Sequence, residues 1–353
     1  MFPIRRLPRW MIAPLAVLAL LMVALGGWAA GHKHGPGQRH AATPTALVRA
    51  HPSTSSPRPW RPPGRGPIVP SDRTYKADLI EKLPYAPQLL FLGGSRSMRF
   101  EPAYAQRLTG LRGFNAAFQN ARPEDAWAFV NFLYQRSPKT QLRVFWGLQP
   151  NLFYDRDMDP GLLQDARLSR FFPRALLEQQ AKKLPATRAQ MHTVNAVNRR
   201  RYLADGALVW NHYDVLEAQG RTLDQSLAEY IRLALKHRGN GRSRGVVPRA
   251  QTYFEKTLAL LNEHGTSPLL VIMPVHPRVL AALPAEQWQR SLSLFKAKLA
   301  ELAHTYDFTV LDMTHIASFG GDPQAFYDGV HFKVSNARKL IATAVREAPQ
   351  AFR

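Results

Sequence analysis

A serine, an aspartate and a histidine in this 353-residue sequence have the types and spacing of an acyl-transfer site. Ser95 follows two glycines in FLGGSRSMRF, and Asp328 and His331 lie three residues apart in FYDGVHF. A histidine that removes the proton of a serine hydroxyl makes it a nucleophile, and a carboxylate that accepts the other imidazole N–H orients that histidine. These residues predict acyl transfer with Ser95 as nucleophile, His331 as base and Asp328 as the orienting acid.

Apolar runs that end in glycine or polar residues are typical of buried parallel strands. The sequence has a weaker run at 112–118 and four strong ones, at 88–92, 142–148, 267–275 and 308–313. Helical patterns lie between and after them, at 123–135, 249–264 and 284–306, and in a final helix that we expect Ser335 to cap. This alternation predicts a three-layer α/β fold with a mostly parallel sheet.

Parallel strands end at one edge of their sheet, and open α/β sheets bind ligands at that edge. Arg96 follows the first strand together with Ser95, and Gln149 and Asn151 follow the third. His276 follows the fourth strand, in MPVHP. Arg96 and His276 are therefore candidates for substrate binding, with a structural role as the alternative for each.

Two of these motifs resemble blocks of the SGNH/GDSL hydrolase superfamily. FLGGSRSMRF resembles its first block, in the G-x-S-R variant of membrane-anchored, cell-envelope members, and FYDGVHF resembles its last block, D-x-x-H. GFNAAFQNARPED and WGLQPN fall where the second and third blocks belong. The resemblance runs from about Gln88 to the C-terminus and implies an esterase or acyltransferase that uses no cofactor and no metal.

The middle blocks depart from the superfamily pattern. The second-block glycine falls near Asn120, and the third-block asparagine aligns with Gln149, with Asn151 two residues on. An amide side chain can still donate to the oxyanion of a tetrahedral intermediate. Asn120, Gln149 and Asn151 are therefore all candidates for the oxyanion hole, beside the backbone N–H of Ser95.

Residues 152–248 interrupt the strand–helix alternation. This stretch is Arg-rich, has helical patterns and lacks strong strand signals. We interpret it as a largely helical insertion, either a lid or a substrate-binding cap over the edge of the sheet. Its DRDMDP run has proline where a calcium loop requires glycine, which excludes that type of metal site.

The N-terminal fifth of the sequence predicts a membrane anchor and a spacer. After a basic tail at 1–9, residues 10–30 carry no charge and are long enough to span a bilayer. The preceding arginines place the N-terminus in the cytoplasm and the rest outside the cell membrane. A cleaved signal peptide is the alternative, although its apolar core is usually shorter. Residues 31–75 predict a disordered, Pro/Gly-rich linker, which leaves 76–353 as the folded domain.

Charge and cysteine content narrow the function classes. The net charge of +22 favours anionic partners such as lipid headgroups or envelope polysaccharides. An extracytoplasmic position argues against nucleic acid, and the lack of cysteine excludes thiol catalysis and disulfides. The sequence predicts a serine esterase or O-acyltransferase acting on an acylated envelope polymer. The alternative is a catalytically inactive SGNH-like module that binds an anionic polymer at the cell surface.

Overall fold

The computed structural model describes residues 71–154, 157–182, 200–239 and 247–353. The predicted cytoplasmic tail, the membrane segment at 10–30 and the linker as far as residue 70 lie outside the described residues. Among the helices in the described ranges, none has the length and apolar character needed to cross a bilayer.

The centre of the fold is a five-stranded sheet whose paired strands are all parallel. The strands are β1 (Leu89–Gly93), β2 (Gly113–Asn115), β3 (Arg143–Leu148), β6 (Leu269–Ile272) and β7 (Thr309–Asp312). Their order across the sheet is β2–β1–β3–β6–β7. Each coincides with a run that the sequence marks as a strand, with β1 extending one residue beyond its predicted run to Gly93, so the predicted α/β sheet is present.

Both faces of the sheet are buried along β1, β2, β3 and β6, which accounts for the apolar character of these strands, whereas the edge strand β7 is partly exposed. Successive side chains of a strand point to opposite faces. Leu90 and Leu92 therefore join one hydrophobic core, and Leu89 and Phe91 join the other. Helices complete both cores, so the sheet is the middle of three layers.

The helices in the sheet-forming part of the chain follow the predicted alternation. They are α1 (Asp72–Lys82), α2 (Pro102–Thr109), α3 (Pro123–Arg136), α9 (Pro248–Glu263), α10 (Pro277–Ala282), α11 (Ala285–Leu302) and α12 (Val334–Glu347). Three short 3₁₀ turns lie at Ser95–Ser97, Ile316–Phe319 and Pro349–Phe352.

The segment interpreted as an insertion is mostly helical where the structure describes it, but it also contains two strands. Its helices are α4 (Pro160–Gln164), α5 (Ala166–Ser169), α6 (Arg174–Ala181), α7 (His212–Ala218) and α8 (Leu223–Gly239). Strands β4 (Arg201–Tyr202) and β5 (Leu208–Trp210) pair antiparallel. Strands of two and three residues are too short to show a period-2 pattern, which is why the sequence did not reveal them.

Two predicted boundaries differ from the structure. Helix α1 begins at Asp72, inside the predicted linker, and the side chain of Ser71 caps it by accepting the N–H of Arg73. The final helix begins at Val334 with Lys333 at the N-cap, so the prediction of Ser335 as the cap is wrong. Ser335 instead lies in the first turn, where a helical backbone excludes the extended N-cap geometry.

A buried lysine fixes the chain that leaves β2. Lys76 has no exposed surface, and its Nζ donates to the carbonyls of Asn115, at 2.8 Å, and Ala117, at 2.7 Å. The ammonium also lies over the rings of Phe118 and Tyr202. Burial lowers the pKa of Lys76 to about 7. The lysine thereby holds the segment that leads to Asn120 beside β1.

Candidate active site

The side chain of Ser95 lies at the carboxyl end of β1, in the first position of a 3₁₀ turn. Its Oγ is 2.7 Å from Nε2 of His331, which is 236 residues away in the chain. Strand β1 is a central strand and the loop carrying His331 follows the edge strand β7. The structure therefore brings the predicted nucleophile and base into hydrogen-bonding contact at the predicted edge of the sheet.

Asp328 holds the His331 loop as well as the His331 ring. Its Oδ1 accepts the backbone N–H groups of Val330 and His331, both at 2.8 Å, and its Oδ2 lies 2.8 Å from His331 Nδ1. Burial by itself would raise the pKa of Asp328. His331 and these N–H donors together lower it by more than burial raises it, so the pKa is about 2. The carboxylate is therefore ionised across the physiological pH range.

The contacts of the two ring nitrogens of His331 determine which of them carries the imidazole hydrogen. If Nε2 accepts the Ser95 hydroxyl proton, Nδ1 must carry the ring hydrogen and donate it to Asp328. That tautomer is the one a general base needs, because Nε2 keeps a free lone pair. The geometry can therefore support nucleophilic attack by Ser95.

Asn115 and two glycines shape the turn that presents Ser95. The fully buried Asn115 amide donates to the carbonyls of Ser97, at 2.9 Å, and Phe100, at 2.8 Å. Gly93 has φ of 135°, and a Cβ there would lie 2.5 Å from Ser97 Oγ. A Cβ on Gly147, on the neighbouring strand, would lie 2.2 Å from the same oxygen. The turn therefore packs into space that only glycine leaves open.

Replacement of Gly93 by alanine is expected to destabilise the protein strongly. The backbone strain and the clash with Ser97 together should lower the free energy of unfolding by roughly 2–4 kcal/mol. Gly110→Ala is the matched control, since Gly110 also has positive φ but open space around its Cβ position. It should cost only about 1 kcal/mol. Chemical denaturation measures both, and equal losses would contradict this role of Gly93.

The three predicted oxyanion donors lie in different surroundings. The Gln149 amide nitrogen is 2.6 Å from where a Gly94 Cβ would be, so it packs against the residue that precedes Ser95. Asn120 has φ of 55°, a left-handed conformation that asparagine tolerates and glycine prefers. Asn151 lies in the turn after β3, where its carbonyl accepts the N–H of Tyr154. The Gln149 amide is therefore in place beside the turn that carries Ser95.

The chain around Asn120 also runs close to Ser95. Beyond β2 it continues along β1, with the N–H of Phe118 donating to the carbonyl of Gly93 at 3.1 Å. Asn120 follows two residues later, at the same edge.

The two predicted substrate-binding residues differ in how far their side chains are already buried and hydrogen-bonded within the protein. His276 is 2% exposed, its Nδ1 accepts the N–H of Arg278 as the cap of α10, and its Nε2 lies 3.1 Å from the carbonyl of Pro323. Both ring nitrogens are therefore engaged, which favours the structural alternative for His276. Arg96 is half-buried beside Ser95 and donates to the carbonyl of Pro274 at 3.3 Å.

Sequence reasoning missed two residues of α7. The hydroxyl of Tyr213 lies 2.8 Å from His331 Nδ1, and the His212 ring stacks against the Tyr213 ring at 3.9 Å. Burial and the neighbouring His331 lower the pKa of His212 to about 4, so its imidazole is neutral at pH 7. The N-x-x-D pattern at Asn211 marks a helix start, but no feature of the sequence connects that helix with His331.

Comparison with known proteins adds little to this geometry. No protein-family model matches the chain. No curated protein matches it either. Among solved structures, it is similar to the crystal structure of a proposed acylhydrolase from Bacteroides fragilis NCTC 9343, with 11% sequence identity and a TM-score of 0.37. That match covers 79% of this chain and 97% of the other. A likeness at this TM-score does not carry activity over to this chain.

Proposed function

We propose that this protein is a serine esterase or O-acyltransferase that acts through an acyl-serine at Ser95. The observation that supports the proposal most directly is the contact chain from Ser95 Oγ to His331 Nε2, and from His331 Nδ1 to Asp328. These three residues come from two loops that the parallel sheet brings to one edge. A buried carboxylate, an imidazole and a hydroxyl in this order form the constellation used for acyl transfer on several unrelated folds.

The geometry supports the following reaction. His331 Nε2 takes the Ser95 proton while Oγ forms a bond to the ester carbonyl carbon. The oxyanion accepts hydrogen bonds from the Ser95 backbone N–H and the Gln149 amide. The ester C–O bond then breaks, and His331 returns the proton to the departing alkoxide. Water, or the hydroxyl of an acceptor sugar, resolves the acyl-serine by the same steps in reverse.

The proposed substrate is an acylated polymer of the cell envelope. The motivation is the predicted membrane anchor at 10–30, which places the folded domain outside the membrane, and the net charge of +22. The same charge favours an anionic polysaccharide over a neutral one. The competing hypothesis is a catalytically inactive module that binds such a polymer. The formed contact between Ser95 and His331 favours the enzyme.

The full-length protein tests this proposal with a small activated ester. Mixing it with p-nitrophenyl acetate should release p-nitrophenol, and an acid quench should trap one acetyl group on Ser95. Folded protein that releases no p-nitrophenol above buffer, yet binds an anionic polysaccharide in a salt-sensitive manner, would replace the enzyme with the binding module.

A further inference from the structure

Helix α7 of the insertion carries a tyrosine onto the Asp328–His331 pair. The Tyr213 hydroxyl lies 2.8 Å from His331 Nδ1. The Tyr213 ring lies against the imidazole, with a centroid distance of 4.7 Å and an interplanar angle of 34°. Tyr213 and His331 are 118 residues apart, so the contact depends on where the insertion docks.

Asp214 fixes α7 in that place. Its carboxylate accepts the Asn211 N–H at 2.8 Å, which completes the capping box at the start of the helix. It also forms a salt bridge with the nearly buried Arg99 and accepts the Tyr327 hydroxyl at 2.8 Å. Arg99 follows the turn that carries Ser95, and Tyr327 precedes Asp328. The first turn of α7 is therefore tied to both loops of the candidate active site.

We propose that Tyr213 is a positioning residue of this site, supplied by the insertion to hold the His331 ring in register with Ser95. This inference rests on the proposed function. When Nδ1 carries the ring hydrogen, the Tyr213 oxygen is an acceptor for it beside the Asp328 carboxylate, which limits rotation of the imidazole. The insertion then contributes a residue to the site.

Tyr213→Phe in the full-length protein tests the proposal, because phenylalanine keeps the ring and removes only the hydroxyl. We expect kcat/KM for p-nitrophenyl acetate to fall about tenfold at pH 7, the usual size of one hydrogen bond to a charged group. KM should stay within about twofold, because the hydroxyl acts on the base and does not touch the bound ester. Tyr104→Phe, on α2 and outside the site, is the matched control and should change neither quantity.

A second measurement separates this proposal from the proposed function. NMR of protein with ¹⁵N-labelled histidine observes the His331 ring at one fixed pH without any turnover, and its Nδ1 signal should shift in Tyr213→Phe and stay in place in Tyr104→Phe. An inactive wild type whose His331 Nδ1 signal still shifts with the substitution would rule out the enzyme and leave the positioning role intact. An active wild type, with kcat/KM and the Nδ1 signal unchanged in Tyr213→Phe, would overturn the role of Tyr213 alone.

Discussion

Ser95→Ala is expected to abolish ester turnover, with a loss of about 10⁴-fold or more in kcat. The Ser95 hydroxyl is the atom that would form the covalent acyl intermediate, and no neighbouring hydroxyl is in contact with His331 Nε2 among the described residues. Alanine keeps the backbone of the turn, so the fold should survive. Steady-state hydrolysis of p-nitrophenyl acetate by wild type and variant measures the loss.

The matched control for this substitution is Ser97→Ala, on the same turn. Ser97 is fully buried, and its Oγ has no hydrogen-bond partner. Removal of that hydroxyl should leave turnover within about twofold and stability within about 1 kcal/mol. If Ser95→Ala kept the activity of wild type, Ser95 would be a turn residue and the acyl-serine mechanism would be wrong.

Asp328→Asn is expected to give the second largest effect, a fall of roughly 10³–10⁴-fold in kcat. Asparagine has the shape of aspartate, and its carbonyl can still accept the N–H groups of Val330 and His331. Its NH₂ group would face His331 Nδ1, which must then accept a hydrogen bond and move the ring proton to Nε2. A protonated Nε2 cannot take the proton of Ser95. Kinetics with the same ester measure the effect.

The loss of stability caused by Asp328→Asn should depend on pH. The pKa of Asp328 lies at about 2 in the folded protein, below the ordinary carboxyl value of 3.8. A group with a depressed pKa stabilises the fold above its unfolded pKa, and that contribution is lost as pH falls through the folded value. The stability deficit of Asp328→Asn should therefore be largest at pH 7 and shrink towards pH 2. Asp224→Asn, at an exposed position, is the control and should show neither the fall in kcat nor the pH-dependent loss of stability. A wild-type rate in Asp328→Asn would remove Asp328 from the mechanism.

The sheet and the two site loops could be predicted because their signals are local. A strand buried on both faces must be apolar along its length, so β1, β3 and β6 stand out in the sequence. Parallel strands then require that Ser95 and the residues after β7 lie at the same edge. The His331–Ser95 contact follows from that topology together with the resemblance in the two motifs.

The contributions of the insertion could not be predicted, because they depend on tertiary docking. Tyr213 lies on a seven-residue helix with no buried residue of its own, and the placement of α7 relies on the contacts of Asp214 with Arg99 and Tyr327. The sequence left two alternatives for His276 for a related reason. A histidine after a strand can face a ligand or cap the next helix, and only the position of the chain near Pro323 decides between them.

The most direct test of the central claim is covalent labelling of the full-length protein with a fluorophosphonate. This reagent forms a stable adduct with a serine that a neighbouring base has activated. The account predicts one adduct per chain, located on Ser95 by peptide mass spectrometry, unchanged in Ser97→Ala and absent in Ser95→Ala. An unlabelled Ser95 in folded protein, with the smaller phenylmethylsulfonyl fluoride also failing to react, would contradict it.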